Sequence, residues 1–488
     1  MASNTMSNYQ LVMTGETWAT LAAHLFPGDH DEHGAVLGVS QVSTERGVRL
    51  LVRELRLAGD GVDYVPGEQG YRMLTPEFVR DAIIDFSNVG LGYLAAHCHG
   101  GTNEVGFSAD DMNSHERGYP ALRDLADGSI VGGLVFASSA IAGDLWLSDG
   151  TRVELTSARV AGRPMKTLFP GPPAIEKHDA EHDRQARIFG DRGQAVLDAQ
   201  KVAVIGAGGA GSLLVEYLAR LGVGHLVIID PDRVETTNLP RIIGSRRFDA
   251  HTWVTSPQRP KVLQALGRRF ASHKVHVARR VAQRARPTTK VDAVVGDIID
   301  AQTAQLLIDC DYIFLAADSM QARLVFNAIV HQYLIPGAQV GAKVQVDKAT
   351  GEVVDVFSVS RPIVPGFGCL WCNSLISSSG LQEEALDPAT RERQRYVDDD
   401  TVPAPSVITL NAVAAAHAAD DYLFSVTELL DKDAPHRWFR FTPREAGVEL
   451  GRPRRDKGCT ECGTQGKGRL AQGPARSLPT RSGQGRPG

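Results

Sequence analysis

The sequence predicts an α/β protein in which an N-terminal α+β domain is followed by a Rossmann-like domain with a mostly parallel sheet. Three observations lead to this prediction. The chain has 488 residues, whereas single cores rarely exceed about 250–300 residues. Short strands and helices are mixed over residues 1–165, but strand and helix patterns alternate over 183–465, which is typical of a parallel sheet. A glycine-rich turn between an apolar strand and a helix opens the second region.

The predicted domain boundaries follow from composition. Residues 166–182 are rich in proline and charge, so we interpret them as a linker between domains at 1–165 and 183–465. Residues 466–488 contain few apolar side chains and many Gly, Pro and Arg residues. Such a segment cannot bury enough apolar surface to fold, and we predict a disordered tail.

Composition and charge exclude several classes of protein. The net charge of −5 and the pI near 6.3 do not indicate a nucleic-acid partner. No apolar run approaches the roughly 18 residues of a membrane span, and the first residues do not resemble a secretory signal. We therefore expect a cytoplasmic protein without a membrane partner. In a reducing compartment, its six cysteines are more often metal ligands or catalytic groups than disulfides.

The first domain begins with elements that have clear signals. An apolar run at 35–42 predicts a strand. Residues 75–88 predict a helix, with Thr75 as its N-cap and Pro76 at its first position. The apolar run at 91–98 predicts a further strand.

A histidine pair lies at the end of this last strand. His97 and His99 alternate, so both rings point to the same side of the sheet. Ser108 and Asp111 lie at the start of the predicted following helix. Two imidazoles and one carboxylate leave a fourth zinc position open for water, which is typical of a catalytic site. Glu32 is the candidate general base.

This pattern resembles the JAMM (MPN-domain) metallopeptidases, in which a glutamate precedes a strand, followed by H-x-H and S-x-x-D. The resemblance implies cleavage of peptide or isopeptide bonds after Gly-Gly. It implies zinc ligands at His97, His99 and Asp111, a water-activating Glu32, and an oxyanion-stabilising Ser108. Asp31 is an alternative to Glu32, and Asp110 to Asp111. A non-catalytic domain that docks a carrier protein is also compatible with the sequence.

The second domain opens with a strand, a glycine-rich turn, a helix and a second strand over 201–232. Glycines allow the backbone to turn tightly and to approach a phosphate, and the helix directs its free N–H groups at that phosphate. Asp230 lies 19 residues after the last glycine, where an acidic side chain can bind ribose hydroxyls. The candidate glycines are Gly206, Gly208, Gly209 and Gly211. The motif alone is also typical of a dehydrogenase.

Further polar residues favour ATP over a nicotinamide. Asn238 and Arg241 follow the second strand, and Lys261 lies at a predicted helix start. Asp318 ends a later apolar strand, and Arg184 precedes the domain core. Cations neutralise a triphosphate, and a carboxylate can hold Mg²⁺. Taken singly, each arginine could be a surface residue, and Asp318 could cap a helix.

Together these motifs resemble the ThiF/MoeB/ubiquitin-activating superfamily over roughly residues 180–465. The resemblance implies a homodimer that binds Mg·ATP and the C-terminal glycine tail of a ubiquitin-like or sulfur-carrier protein ending in Gly-Gly. The tail carboxylate attacks the α-phosphate, and an acyl-adenylate forms. The implied roles are ribose binding by Asp230, phosphate binding by Arg241 and Lys261, Mg²⁺ binding by Asp318, orientation by Asn238, and an arginine finger from the partner subunit at Arg184.

Two C-x-x-C motifs predict a structural zinc site. They are formed by Cys369 with Cys372 and by Cys459 with Cys462. Each motif presents two thiolates to one ion, although 86 residues separate the pairs. The resembled family carries such a structural zinc. Two separate redox pairs are the alternative.

Ubiquitin-activating enzymes also carry a cysteine that accepts the acyl group, on a loop after the first zinc pair. Residues 377–413 contain no cysteine. Cys310 precedes an apolar strand and is interpreted as a buried small hydrophobe. The adenylate is therefore expected to pass to a thiol or sulfide of a conjugating-enzyme-like or sulfur-donor protein, with Thr401 as a further candidate acceptor.

The sequence thus predicts a bifunctional enzyme of a ubiquitin-like or sulfur-carrier pathway, with sulfur-carrier activation for cofactor or cysteine biosynthesis as the alternative.

Overall fold

The computed structural model describes residues 8–29, 31–65, 72–174, 180–347, 350–386, 405–464 and 468–481. The chain divides into two compact units. The first unit comprises residues 1–174 with 332–334 and 469–477, and the second comprises 175–331, 335–468 and 478–488. None of the helices in the described ranges is long and apolar enough to cross a bilayer.

The first unit is built on one mixed sheet with the strand order β7-β6-β5-β4-β2-β3-β1-β8-β9. Its strands are β1 (Tyr9–Thr14), β2 (Gly34–Thr44), β3 (Gly47–Leu57), β4 (Gly92–Cys98), β5 (Val131–Ala137), β6 (Ala140–Trp146), β7 (Arg152–Glu154), β8 (Ser157–Ala161) and β9 (Lys166–Leu168). Its helices are α1 (Gly15–Leu25), α2 (Pro76–Asn88) and α3 (Ala109–Leu125).

The predicted strands and helix at the start of this unit are confirmed. The side chain of Thr75 accepts a hydrogen bond from the backbone N–H of Phe78, so it caps α2 as predicted. Strand β4 lies between β2, to which it is antiparallel, and β5, to which it is parallel. Its apolar side chains therefore reach both faces of the sheet, and the histidines at its end are held on a rigid element.

The second unit contains one sheet with the order β12-β11-β10-β13-β14-β15-β16-β17, parallel up to β14 and antiparallel beyond it. Its strands are β10 (Lys201–Ile205), β11 (His225–Ile229), β12 (Lys290–Val294), β13 (Tyr312–Leu315), β14 (Gly337–Val346), β15 (Val353–Ile363), β16 (Trp438–Thr442) and β17 (Gly447–Gly451). Its described helices are α4 (Asp183–Ala199), α5 (Gly209–Leu221), α6 (Thr252–Thr255), α7 (Lys261–Phe270), α8 (Lys274–Ala285), α9 (Ala301–Gln305), α10 (Met320–Gln332), α11 (Ser378–Ala385) and α12 (Ile408–Val426).

The core of the second unit explains two features of the sequence. All five residues of β10 are buried, as expected for a central parallel strand. Helix α12 packs against α5, β14 and β15 and buries Ala414, Ala418 and Tyr422. Its apolar face is thus part of the core and gives no support to a dimer interface. Cys310 is also fully buried, as predicted.

Two segments have more structure than their composition predicts. Strand β9 lies within the predicted linker and pairs with β8. Residues 468–481 of the predicted tail include a short 3-10 helix, Gly473–Ala475, with Ala471 only 1% exposed. Composition misses both segments because a few apolar side chains are enough to anchor a short segment to an existing core.

Candidate functional sites

The glycine turn after β10 has the conformation that its sequence predicts. Gly206 has φ +90°, and a Cβ there would lie 2.9 Å from the carbonyl oxygen of Ala316. A Cβ on Gly211 would lie 1.7 Å from the oxygen of Gly206, so this glycine allows α5 to pack against the turn. A Cβ on Gly208 would meet no atom within 4 Å, because this residue faces open space. The turn therefore leaves room for a ligand at Gly208.

The fourth glycine touches a residue that the sequence analysis missed. A Cβ on Gly209 would lie 2.4 Å from Nδ2 of Asn411, near the start of α12. That amide donates a hydrogen bond to the hydroxyl of Ser406, and both residues line the space above the turn. No local motif marks Asn411, since about 200 residues separate it from the turn in the sequence.

Asp230 lies at the end of β11, beside the turn. Its carboxylate accepts hydrogen bonds from the backbone N–H groups of Ala207 and Asp232, at 2.7 and 2.8 Å. Burial raises the pKa of this carboxyl group, and these donors together with Lys274 oppose that effect. The side chain is thus fixed where a ribose is predicted to bind.

A pocket of about 620 Å³ opens above the glycine turn. Of the predicted residues, it is lined by Gly206, Gly208, Gly209, Asp230, Arg241 and Asp318. Further charged groups line it as well, namely Asp232, Lys274, Asp297, Arg323, Lys343 and Arg361. Carboxylates and cations around a glycine turn match the demands of a nucleotide triphosphate with a divalent ion.

Four predicted residues do not line this pocket, and the first of them, Gly211, packs against Gly206 instead. Asn238 is buried, and its side-chain oxygen accepts a hydrogen bond from the N–H of Glu235, so it shapes the loop that carries Arg241. Arg184 is exposed on α4. Lys261 is exposed at the first position of α7, and the structure does not bring it to the pocket.

A different lysine occupies the place predicted for Lys261. Lys274 opens α8, and its ammonium nitrogen lies 2.8 Å from a carboxylate oxygen of Asp232 and 4.0 Å from one of Asp230. Both lysines stand at the first position of a helix, so local sequence does not distinguish them. The fold does, because the backbone of Lys274 is hydrogen-bonded to that of Asp232 beside the pocket.

The four predicted cysteines meet in the second unit. The sulfurs of Cys369 and Cys459 are 3.8 Å apart, and those of Cys372 and Cys462 are 3.6 Å apart. Four sulfurs placed about 2.3 Å from a central zinc would be roughly 3.8 Å from one another. None of the four forms a disulfide. The donor set and its spacing therefore fit a tetrahedral zinc ion, and two separate redox pairs do not fit this arrangement.

The predicted histidine cluster in the first unit is also assembled. The Nε2 atoms of His97 and His99 are 3.2 Å apart. The Asp111 carboxylate lies 3.5 Å from the first nitrogen and 3.4 Å from the second. The other ring nitrogen of His99, Nδ1, donates to the carbonyl of Gly106, which leaves Nε2 free as a ligand. Burial by itself would raise the pKa of the Asp111 carboxyl group. Hydrogen bonds from His97 and Ser108 have a larger effect in the opposite direction, so the pKa of Asp111 is lowered.

The remaining predicted residues of this cluster differ in their contacts. Glu32 lies 3.6 Å from Nε2 of His99, and burial raises the pKa of its carboxyl group. The neighbouring Asp31 lies near Arg72 instead, and Asp110 is exposed. Ser108 is the N-cap of α3, and its hydroxyl donates to the Asp111 carboxylate at 2.7 Å.

Thr401, the further candidate acceptor, lies outside the described residues. In the described part of residues 377–413, the pocket is bordered by Pro405, Ser406 and Asn411. None of these three described residues has a thiol, so they offer no cysteine that could accept the acyl group.

Comparison with known proteins adds independent findings. The sequence matches the model of the ThiF family over residues 182–437. It is 32% identical over 161 residues to "Adenylyltransferase and sulfurtransferase MOCS3" of Arabidopsis thaliana, covering 32% of this chain and 30% of that protein. It is 30% identical over 142 residues to the molybdopterin-synthase adenylyltransferase of Escherichia coli, covering 29% of this chain and 49% of that protein. The chain thus spans less than half the length of each relative.

Among solved structures, the chain is similar to the Microcin C7 biosynthetic enzyme MccB in complex with N-formylated MccA. The sequences are 15% identical, the TM-score is 0.45, and the match covers 88% of this chain and 100% of that chain. A second similar structure, of E. coli MccB with ATP, has 18% identity and a TM-score of 0.43, with 58% and 75% of the two chains covered.

Proposed function

Because the chain belongs to the ThiF family, we propose that its second unit uses ATP to adenylate the C-terminal carboxylate of a ubiquitin-like or sulfur-carrier protein. The observation that carries this proposal is the pocket above the glycine turn, where Asp230, Arg241, Lys274 and Asp318 converge. The named relatives include adenylyltransferases, which supports the same class of reaction.

The chemistry of the pocket is positioning and charge neutralisation. The open space at Gly208 and the N-terminus of α5 accept a phosphate. Arg241 and Lys274 offset the charge that shifts to pyrophosphate when the carboxylate oxygen attacks the α-phosphorus. Asp318 would hold Mg²⁺, which would neutralise part of the negative charge of the phosphates. Asp230 accepts hydrogen bonds from the ribose.

The two helix-opening lysines provide the test. Lys274→Ala removes a cation from the pocket, so exchange of labelled pyrophosphate into ATP, measured with candidate Gly-Gly-ended proteins, should fall by about 10²–10³-fold. Lys261→Ala is the matched control and should leave the exchange rate within about twofold. Equal losses in the two variants would refute the assignment. Tight binding of NAD by a protein that ignores ATP would refute the function itself.

Arg184 is proposed to complete the site of a partner subunit, since it is exposed on α4 and does not line the pocket of its own chain. Arg184→Ala and Asp318→Ala should each be inactive alone. After co-refolding or co-expression, mixed dimers should contain one intact site, and about a quarter of the wild-type activity should return. If Arg184 acts in its own chain, mixing the variants will restore no activity.

The acyl-adenylate is proposed to pass to a thiol or sulfide of a second protein, because residues 377–413 contain no cysteine. The thiol of a conjugating-enzyme-like acceptor would displace AMP and yield a thioester with the carrier, and sulfide from a sulfur donor would displace AMP and yield a thiocarboxylate. Mass spectrometry of the carrier after turnover with either acceptor distinguishes these outcomes.

A second candidate function belongs to the first unit, and the assembled His97, His99 and Asp111 cluster favours it. We propose that this unit is a zinc peptidase that cleaves after Gly-Gly, with Glu32 as the general base. These residues fit a zinc ion that keeps one position open for water. Its role would be to release or expose the carboxylate that the second unit activates.

Replacement of the base tests this proposal. Glu32→Gln should lower hydrolysis of a fluorogenic Gly-Gly peptide by about 10²–10⁴-fold while the bound zinc is retained. Asp31→Asn is the matched control, because Asp31 faces Arg72, and it should keep its activity. Full activity in Glu32→Gln would exclude Glu32 as the base. If the unmodified protein neither hydrolyses the peptide nor binds zinc in this unit, a docking domain would be favoured instead.

A further inference from the structure

The floor of the pocket in the second unit is one face of the β14–β15 hairpin. Three directly paired positions line the pocket: Gln339 opposite Arg361, Gly341 opposite Val359, and Lys343 opposite Phe357. Alternate residues of a strand face the same side, so these six positions form one continuous surface, which we call the hairpin floor.

The register of the sheet gives the hairpin floor a direction. Gln339 pairs with Leu315 at the end of β13, and Asp318 follows three residues later. The pair Gln339–Arg361 is therefore at the inner end of the floor, near the groups proposed to act on ATP. Lys343 lies four residues further along β14, which corresponds to roughly 13 Å of extended strand.

The inner end carries two cations without a matching anion. A guanidinium nitrogen of Arg361 donates to the side-chain oxygen of Gln339 at 2.8 Å, and the ring of Trp438 lies 5.4 Å from its centre. Arg323, on α10, lines the same pocket, donates to the carbonyl of Leu375, and has a buried Nε without a hydrogen-bond partner. Among the described residues, neither arginine has a carboxylate within ion-pair distance.

Two half-buried cations that repel each other favour a bound anion. Burial, together with the charges of Arg323 and Arg440, lowers the pKa of Arg361 to about 10. Burial also lowers the pKa of Arg323, although Asp318 and Glu384 oppose this effect from beyond ion-pair distance. A ligand carboxylate at this position would relieve the repulsion and satisfy the free donors.

The middle of the hairpin floor is open. A Cβ on Gly341 would meet only the amide nitrogen of Gln339, at 3.8 Å, and the backbone of Gly341 is not in the left-handed region. This glycine is therefore not required by the fold. Its effect is to leave the space above the middle of the floor free of side-chain atoms.

The outer end carries a third cation. Lys343 is exposed, and its ammonium group forms no hydrogen bond or ion pair with any residue of the described ranges. Opposite it, the ring of Phe357 is covered by the guanidinium of Arg440, whose charge is paired with Asp355. Lys343 is thus the free charge at this end of the floor.

We propose that the hairpin floor binds the substrate tail as an extended peptide, with its terminal carboxylate at Arg323 and Arg361 and an acidic side chain about four residues upstream at Lys343. This assignment rests on the proposed adenylation function and specifies its substrate class. The tail crosses Gly341, and the inner arginines hold the carboxylate for attack on the α-phosphorus. These cations are separate from Arg241 and Lys274, which are assigned to the triphosphate.

Labelled octapeptides that end in Gly-Gly test the inner end of the floor. Their affinity is measured by fluorescence anisotropy with the full-length protein, Mg²⁺ and α,β-methylene-ATP. A free C-terminal acid should bind about 10- to 100-fold tighter than the C-terminal amide, and Arg361→Gln should remove this difference. Equal affinities of acid and amide for the unmodified protein overturn the proposal.

The same peptides, with Glu or Lys four residues from the C-terminus, test the outer end. Because Lys343 is exposed, the Glu peptide should bind only about two- to fivefold tighter. Lys343→Glu should reverse this order. Since the amide peptides retain the Glu side chain, the two sets separate the terminal carboxylate from the acidic side chain. An unchanged preference in Lys343→Glu overturns the assignment of the outer end.

Gly341→Leu tests the path between the two ends. It should weaken every peptide by at least about tenfold without altering affinity for the ATP analogue, and Gly341→Ala should have a much smaller effect. Unchanged peptide binding by Gly341→Leu overturns the proposed path. If the unmodified protein does not bind the ATP analogue, the proposed adenylation function itself fails, which is a distinct result.

Discussion

The described residues form two clusters that could each hold a metal ion, and the surroundings of these clusters differ. In the second unit, Cys369, Cys459 and Cys462 are at most 7% exposed, and four sulfurs complete the set. In the first unit, the side chains of His97 and His99 are 22% and 20% exposed, and a single carboxylate joins them. One cluster is closed and buried, whereas the other has three ligands and faces solvent.

This difference supports the structural role proposed for the cysteine cluster and the catalytic role proposed for the histidine cluster. Four thiolates would fill the tetrahedral shell of a zinc ion and leave no position for water, as in structural zinc sites. Three ligands would leave one position open for water, and Glu32, near His99, is the residue proposed to act as the base there. The number of ligands and their exposure therefore distinguish a proposed structural site from a proposed catalytic site more clearly than the spacing of the C-x-x-C and H-x-H motifs does.

The largest expected effect comes from breaking the closed cluster. Cys459→Ala should lose one zinc per chain and lower the free energy of unfolding by several kcal/mol, because zinc-binding free energy is also folding free energy. His97→Ala should lose the other zinc and change stability by less than about 1 kcal/mol. Zinc content by atomic emission and thermal unfolding of each variant measure both effects.

Cys310→Ala is the control for this comparison. Cys310 is as buried as the cluster but lies outside it, so the variant should keep both zinc ions. If His97→Ala unfolds the protein as strongly as Cys459→Ala, the contrast between a structural and a catalytic zinc is wrong.

Local patterns predict the parts of both sites that depend on periodicity. The alternation of His97 and His99 at the end of β4 predicts that both rings share one side, and their Nε2 atoms are 3.2 Å apart. Likewise, the strand, glycine turn and second strand give β10, α5 and β11 with Asp230 at the expected place. These features are encoded within short segments, so the sequence alone is sufficient to predict them.

Features that depend on how distant segments meet are not predictable in this way. Lys261 and Lys274 both open helices, and only the tertiary fold brings Lys274 to the pocket. Arg361 and Gln339 acquire their roles through the register of β14 with β15, which no local motif specifies. Composition underestimates residues 468–481 for the same reason, since their packing depends on a surface formed elsewhere.

Ser108 offers the finest test of the contrast between the two clusters. The S-x-x-D motif is also a helix N-cap signature, and the Ser108 hydroxyl both caps α3 and donates to the Asp111 carboxylate. The cysteine cluster has no counterpart to this serine, because all four cysteines are themselves proposed as zinc ligands. Ser108→Ala should therefore weaken zinc binding in the first unit by about 10- to 100-fold and leave the cysteine site unaffected.

Competition with a zinc chelator measures this change, and Asp110→Ala in the same exposed helix turn is the matched control. If Ser108 acts only on the oxyanion, Ser108→Ala will keep its zinc affinity, and the turnover rate for the Gly-Gly peptide will fall. If it positions Asp111, zinc affinity will fall first, and excess zinc will restore most of the turnover. We expect zinc affinity to fall first, because the Ser108 hydroxyl already donates a hydrogen bond to the Asp111 carboxylate at 2.7 Å.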